Sequence, residues 1–236
     1  MSYIDRKKIC CIGATVFYIC FVISSYIPFL CTSIFAGVDY NGYVLFYATA
    51  LYLFGITVFW GFGETEKYIG SYGIIEIIRY RKRSCVARKI ILNQFKNTVL
   101  MLATHLSVLG IAVIVTGMDN VGDDYMYTSI MLFGIVSFSV MLWQAIFELI
   151  WDSRIGIILT LTLFIVHIYA GDMMNMYGGN KYWNLLFYSN FGMAIRSQQI
   201  DISQYIMFLW VALICVLQIF LLCIALKKKD IFSVKN

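Results

Sequence analysis

The chain has 236 residues, of which 61% are hydrophobic and only 13% are charged; its net charge is +5 and its mean hydropathy is +0.80. This composition excludes a soluble globular domain. Because a membrane-spanning helix needs roughly 20 apolar residues, the length admits about six spans and no separate globular domain. Residues 1–236 are therefore expected to form a single transmembrane domain.

The apolar runs predict helices rather than a β-barrel, because they are continuous instead of alternating with a period of two. The first run follows Arg6, Lys7 and Lys8, but it is long and lacks a small-residue cleavage site. This pattern favours a retained helix over a signal peptide. The six predicted spans lie near residues 10–32, 43–62, 95–117, 127–150, 155–171 and 204–226.

The lysines and arginines predict which helix ends face the cytoplasm, since positive residues are retained on that side during insertion. With the N-terminus inside, 16 of the 18 lie on the cytoplasmic side, and only Lys181 and Arg196 lie outside. Both termini are therefore expected in the cytoplasm. The 16 are Arg6, Lys7, Lys8, Lys67, Arg79, Arg81, Lys82, Arg83, Arg88, Lys89, Lys96, Arg154, Lys227, Lys228, Lys229 and Lys235.

The segment between the second and third spans is too polar to cross a membrane and too apolar for a plain linker. Isoleucines recur there at helical spacing, with Glu76, Arg79 and Arg83 between them, and predict a short amphipathic helix on the inner membrane face. From this pattern alone, a helix that binds anionic lipid headgroups is as good an interpretation as one that binds a protein. The isoleucines are Ile74, Ile75, Ile77 and Ile78.

Two stretches carry a resemblance to a known family. The stretch YGIIEIIRYRKRSCVARKIILNQF, from Tyr72 to Phe95, resembles the coupling-helix region of small bacterial permeases that serve peptide, lantibiotic and bacteriocin export or immunity. The end of the last span, LKKKDIF from Leu226 to Phe232, is similar to theirs, as is the six-span topology. These permeases are the membrane subunits of type-2 ABC exporters, which are all-α proteins of the bacterial cell membrane.

The resemblance implies a cytoplasmic coupling helix that docks into a groove of a separate ABC-type ATPase subunit. The chain has no GxxxxGKS or GxxxxGKT phosphate loop, so ATP and Mg would be bound by that partner. The resemblance also implies a second permease copy, as a homodimer or a heterodimer, and alternating access that moves a hydrophobic or amphipathic peptide. It implies no catalytic residue, metal site, cofactor or nucleic-acid partner for this chain. The implied coupling residues are Tyr72, Gly73, Ile74, Ile75, Glu76, Arg79, Tyr80 and Arg81.

The segment from residue 172 to 203 is predicted to lie outside, at the membrane interface, because it mixes aromatic residues, glycines and amides with few charges. In the exporter family the matching region forms short re-entrant helices that close the outer end of the pathway, so the resemblance implies a gate. An ordinary interfacial loop with an aromatic belt is an equal alternative. The candidate gate residues are Tyr182, Trp183, Phe187, Tyr188 and Phe191.

Ionisable residues inside the predicted spans raise a second hypothesis, a membrane-embedded enzyme that uses His105 and His167 on lipid or peptide. No HExxH motif or triad order accompanies them, which favours structural roles. Glu148 is expected to be satisfied by i to i+4 pairing near Asp152 and Arg154, or by snorkelling to the cytoplasmic surface. A third hypothesis is a non-catalytic membrane sensor or assembly factor.

Overall fold

A computed structural model of the chain describes residues 3–24, 34–37, 39–40, 44–69, 83–117, 125–178 and 180–228. Within these ranges every regular element is a helix, in agreement with the predicted all-α class. The α-helices are α1 (Tyr3–Ser24), α2 (Val44–Gly61), α3 (Glu64–Ile69), α4 (Arg83–Thr116), α5 (Met126–Ile150), α6 (Ser153–Met176), α7 (Ala194–Gln199) and α8 (Gln204–Lys228), and the 3₁₀ helices are η1 (Lys181–Leu185) and η2 (Tyr188–Gly192).

Four helices of the described chain are long and apolar enough to cross a membrane, namely those that contain Ser84–Val115, Met126–Ile150, Ser153–Met176 and Gln204–Lys228. Large apolar side chains project from them into the surroundings; Ile114 is 81% exposed and Val216 is 65% exposed. A soluble protein rarely carries such a surface, whereas hydrocarbon solvates it at no cost. The chain is a membrane protein, and the regular elements of its described ranges are all helices.

The helix ends differ from the predicted spans where polar residues continue a helix. α4 begins at Arg83 rather than near residue 95, because Arg, Lys, Ala and Leu sustain a helix and no proline interrupts them. α6 extends beyond 155–171 at both ends, and the side chain of Asp152 caps its start by accepting the Ile155 N–H at 2.8 Å. α2 lies within 43–62, whereas α1 begins at Tyr3 and the last part of the predicted first span, 25–32, lies outside the described residues.

α5 occupies the centre of the bundle. In its most apolar window 67% of the residues are buried, against 22–33% in the other three long helices, and it packs against α2, α3, α4, α6, α8 and η2. It also carries buried polar residues, Ser137, Ser139, Gln144 and Glu148. Exposure of these polar groups to lipid would cost free energy. A central position lets them bond to neighbouring helices while the apolar side chains of α5 pack in the core.

The two ends of the bundle differ in charge. Lys7, Lys67 and Lys228 lie at one end, where α3 packs beside α4, α5 and the last turns of α8; we call this the basic end. Asp39 and Asp172 lie at the opposite end, where Gln199 donates to Asp39 at 2.7 Å. The grouping agrees with the segregation of basic residues that the sequence predicts.

Candidate functional site

The carboxylate of Glu148, on α5, holds the start of α3. It is 3% exposed, and its Oε1 accepts the Gly63 N–H at 2.9 Å and the Gln144 Nε2–H at 3.0 Å. Its Oε2 accepts the Thr65 N–H at 3.3 Å. The first N–H groups of a helix have no partner within the helix, so Glu148 supplies the acceptor that α3 lacks. The expected i to i+4 pairing occurs with Gln144 and not with Asp152 or Arg154, and Glu148 points into the bundle instead of toward the surface.

A second carboxylate, Glu64 on α3, joins α3 to two other helices. Its Oε1 lies 3.3 Å from Lys7 Nζ on α1 and 2.7 Å from Lys67 Nζ, and its Oε2 accepts the Asn93 Nδ2–H of α4 at 3.2 Å. Burial alone would raise the pKa of Glu64, but the hydrogen bonds from Lys67 and Asn93 and the positive charges of Lys7 and Lys67 outweigh burial and lower it. Glu64 is therefore an anion that ties α1, α3 and α4 together.

Lys7 also closes the end of α2. Its Nζ donates to the carbonyl oxygens of Trp60 at 3.1 Å and Phe62 at 2.8 Å. The last carbonyls of a helix lack partners within the helix, and a cation stabilises that end. At Gly63, the next residue, φ is +70°, a conformation that glycine adopts without strain and that turns the chain from α2 into α3.

These contacts form one connected group, which we call the inner anchor. Besides the Asn93 contact, α3 reaches α4 through Thr65, whose Oγ1 accepts the Gln94 Nε2–H at 3.4 Å. α3 leads into residues 70–82 and α4 begins directly after them, so both sides of that segment are fixed to each other. The inner anchor consists of Lys7, Gly63, Glu64, Thr65, Lys67, Asn93, Gln94, Gln144 and Glu148.

The predicted coupling residues fall within the segment between α3 and α4. They lie outside the described residues, and they are Tyr72, Gly73, Ile74, Ile75, Glu76, Arg79, Tyr80 and Arg81.

The predicted gate residues divide into an exposed and a buried part. Tyr182 and Trp183, on η1, are 60% and 52% exposed, and Phe187 is half-buried. Tyr188 and Phe191, on η2, are buried against α5. The segment before α8 is thus three short helices, of which η2 and α7 enter the core, and not an ordinary surface loop.

The hydroxyl of Tyr188 reaches the middle of α5. It accepts the Trp143 Nε1–H at 3.0 Å, lies 2.9 Å from Ser139 Oγ, and lies 3.4 Å from Gln218 Nε2 of α8. Ser139 is also 3.0 Å from Gln218 Oε1. These four residues form a closed polar group within an apolar core, and such groups fix the register of the elements that they join.

Arg196, on α7, is fully buried and is held by several groups. Its guanidinium donates to Asp172 Oδ1 at 2.6 Å, to Asn190 Oδ1 at 2.9 Å and to the Ile168 carbonyl at 3.0 Å. Its Cζ lies 4.6 Å from the centre of the Tyr40 ring. A buried cation persists only where it is paired and hydrogen-bonded, and here the contacts with Asp172, Ile168 and Asn190 fasten α7 to α6 and η2. We call Tyr40, Tyr47, Asp172, Asn190 and Arg196 the outer cluster; Tyr47 donates to Asp172 Oδ2 at 2.6 Å.

The two histidines have separate surroundings. His105 Nδ1 lies 2.9 Å from the Met101 carbonyl, and its Nε2 lies 3.4 Å from the Tyr52 hydroxyl. His167 Nδ1 lies 2.6 Å from Ser189 Oγ, which is on η2. Among the described residues, no group of three or more His, Cys, Asp or Glu side chains is arranged to hold a metal ion.

Comparison with known proteins places the chain in a family. Residues 7–232 match the family described as "Protein of unknown function (DUF2705)". The chain belongs to the DUF2705 family. No curated protein and no solved structure matches it.

In this member of the DUF2705 family, sequence reasoning missed the outer cluster. Arg196 and Asp172 are both in the segment that the sequence places outside, but no helical spacing links them. The one available signal was a lone arginine in a weakly charged, aromatic stretch, since a cation there needs an acidic partner nearby.

Proposed function

We propose that the chain is the transmembrane permease subunit of an ATP-driven exporter of the bacterial type-2 ABC class. Its six long helices, α1, α2, α4, α5, α6 and α8, cross the bacterial cell membrane with both termini in the cytoplasm. The observation that carries the proposal is the inner anchor: α3, which leads into residues 70–82, is bonded to α4 and α5 through buried carboxylates and amides.

The contacts of the inner anchor suit a helix that an ATPase subunit displaces. Residues 72–81 form the coupling helix, and an ATPase that displaces it also displaces α3. Because the Glu148 carboxylate holds the backbone of α3, the displacement passes into α5. A flexible linker would absorb the same displacement, whereas packed helices with fixed contacts transmit it.

α5 carries the displacement to the opposite end of the bundle. Trp143 and Ser139 lie one to three turns from Glu148 on the same helix, and both contact the hydroxyl of Tyr188. Tyr188 belongs to the short helices before α8, which act as re-entrant helices that close the outer end of the pathway. The outer cluster fastens these helices to α6, so opening involves α5 and α6 together.

The proposal requires two protein partners, one for ATP hydrolysis and one to complete the pathway. An ABC-type ATPase subunit binds ATP and Mg and docks against residues 72–81. A second permease copy, identical or related, completes the pathway across the lipid bilayer. The cargo that suits an aromatic and weakly charged bundle is a hydrophobic or amphipathic peptide, in export or in antimicrobial-peptide immunity.

Co-purification tests the proposal. The full chain, tagged at its N-terminus and extracted from its native cells in mild detergent, should recover an ATP-binding subunit. The double variant Glu76→Gln with Arg79→Gln should lower that recovery several-fold, and the matched double variant Asp5→Asn with Lys8→Gln should leave it unchanged. Recovery of the chain without any ATP-binding protein, at full yield of folded permease, would contradict the proposal.

The enzymatic alternative rests on the short contact between His167 and Ser189. Their atoms lie 2.6 Å apart, as in a nucleophile and its base, but Ser189 is 1% exposed and is therefore closed to a substrate in this conformation. Replacement of His105 and His167 by glutamine discriminates the two functions. An enzyme loses all activity in this variant, whereas an exporter subunit keeps its ATPase partner and most of its transport.

A further inference from the structure

A groove between α5 and α8 opens at the basic end of the bundle. It encloses about 550 Å³. One wall comes from α5 and the residue after it and includes Trp143, Phe147 and Trp151, and the other comes from α8 and includes Leu221, Ile224 and Lys228. Neither the inner anchor nor the outer cluster uses this groove.

The α5 wall is a continuous aromatic stripe. Trp143 and Phe147 are four residues apart, so their side chains follow one another along one face of α5, and Trp151, directly after the helix, continues the stripe. The Trp143 and Phe147 ring centres are 5.5 Å apart with nearly parallel planes, and those of Phe147 and Trp151 are 6.1 Å apart. The hydrogen bond from Trp143 Nε1 to the Tyr188 hydroxyl fixes the end of the stripe that lies deepest in the bundle, away from the basic end. The wall is therefore rigid and apolar along its length.

The charge at the mouth of the groove is positive. Lys228 ends the lining on α8, and Lys227 precedes it in the last turn of the same helix. Two acidic residues lie beside this wall in the chain: Glu148 points into the bundle toward Gly63 and Thr65, and Asp152 caps α6 through the Ile155 N–H. An elongated apolar groove with a lysine at its mouth matches an amphiphile that has a long apolar chain and an anionic head.

We infer that this groove binds an anionic phospholipid from the leaflet at the basic end of the bundle. One acyl chain lies between the aromatic stripe of α5 and the aliphatic side chains of α8. The phosphate pairs with Lys228, and the indole of Trp151 lies at the level of the headgroup. The inference does not depend on the proposed exporter function, because it uses none of the residues that contact the ATPase in that proposal.

Quenching of tryptophan fluorescence by brominated lipids tests the inference. The full-length protein is reconstituted in phosphatidylcholine vesicles that contain increasing fractions of either dibrominated phosphatidylglycerol or dibrominated phosphatidylcholine. The groove signal is the part of the quenching that is lost in Trp151→Phe. Dibrominated phosphatidylglycerol should produce this signal at a lower mole fraction than dibrominated phosphatidylcholine does. Lys228→Gln should raise the mole fraction of phosphatidylglycerol that gives half of the signal about fivefold, the loss expected for one lysine near an anionic surface.

Two further variants make the result specific. Lys8→Gln removes an equal charge at the same end of the bundle, away from the groove, and should leave the preference for phosphatidylglycerol intact. Ala225→Phe fills the groove and should abolish the groove signal with both lipids. Equal quenching by the two lipids, or equal effects of Lys228→Gln and Lys8→Gln, would overturn the inference. The inference would also be overturned if neither lipid gave a groove signal and the protein could be cross-linked as a dimer, because a second copy of the chain would then occupy the groove.

Discussion

The Glu148 carboxylate accepts the backbone N–H of Gly63 at 2.9 Å, across 85 residues of sequence. One residue of the central helix thus holds the turn that leads from α2 into α3. The same carboxylate accepts the Thr65 N–H and a Gln144 side-chain N–H, so its loss leaves three donors, two of them on buried residues, without this acceptor.

Replacement of Glu148 by alanine should lower the free energy of unfolding by about 3 kcal/mol, because several hydrogen-bond donors in the bundle are left without an acceptor. Hydrogen exchange measured by mass spectrometry should show faster exchange at residues 63–69 than in the native chain, with α8 little changed. Glu66→Gln is the control, since Glu66 is exposed and accepts a hydrogen bond from Ser153 Oγ at 2.8 Å, outside the group that Glu148 holds. Equal exchange rates in Glu148→Ala and the native chain would show that α3 is held by something else.

Acidification should loosen the same region through Glu64. Its pKa is lowered from 4.5 in the folded protein, so the folded state binds this proton less tightly than the unfolded chain does. The stabilisation is complete above about pH 4.5 and is lost as the pH falls through the folded pKa. Thermal midpoints measured from pH 7 to pH 3 should fall more steeply in the native protein than in Glu64→Gln, whose midpoint is lower at pH 7. If the thermal midpoints of the two proteins fell in parallel with pH, ionised Glu64 would not stabilise the folded state.

Tyr188→Phe removes one hydroxyl that three side chains share. Trp143 and Gln218 each lose an acceptor inside the core, and we expect a loss of about 1–3 kcal/mol in the free energy of unfolding. Thermal unfolding in detergent measures this loss. Tyr205→Phe should shift the midpoint very little, because Tyr205 is 82% exposed. A matching shift in the two variants would mean that the hydroxyl group of Tyr188 adds no stability.

Arg196→Ala leaves Asp172 without its cation and Asn190 without its donor. The expected loss is about 3–5 kcal/mol, the range for removal of one member of a buried ion pair. Arg196→Lys keeps the charge, but its single ammonium group cannot reach all of the acceptors. Its thermal midpoint should therefore lie between those of Arg196→Ala and the native protein. Thermal midpoints of the two variants, with Arg154→Ala as an exposed control, give the order. Full stability of Arg196→Ala would exclude a structural role for the outer cluster.

The long helices could be predicted from the sequence because hydrocarbon imposes one rule on every residue of a span. α5 and α8 begin and end within two residues of the predicted spans, since their apolar runs are continuous and bounded by charges. The start of α4 was missed because Arg83 to Asn93 looks too polar for a span, although Val86, Ala87 and Ile90 are buried against α5 and α8. Tertiary packing, and not local hydropathy, extends that helix.

The polar contacts between elements could not be predicted, because most of them join residues that are far apart in the chain. Glu148 does pair locally with Gln144, four residues before it, but its other partners are backbone N–H groups 83 and 85 residues away, which no local pattern indicates. The candidate gate residues share one composition, yet Trp183 is exposed and Phe191 is fully buried. Composition predicts that such a segment is interfacial, and only the fold decides which of its rings enter the core.

Site-specific photo-crosslinking from position 75 in intact cells tests the central claim most directly. A photoreactive amino acid in place of Ile75 lies in the segment that the inner anchor fixes on both sides. The account predicts a light-dependent adduct with an ATP-binding subunit, and loss of that adduct when Glu76 and Arg79 are both replaced by glutamine. Adducts with lipid alone, or labelling of the same position from outside the cell, would contradict it.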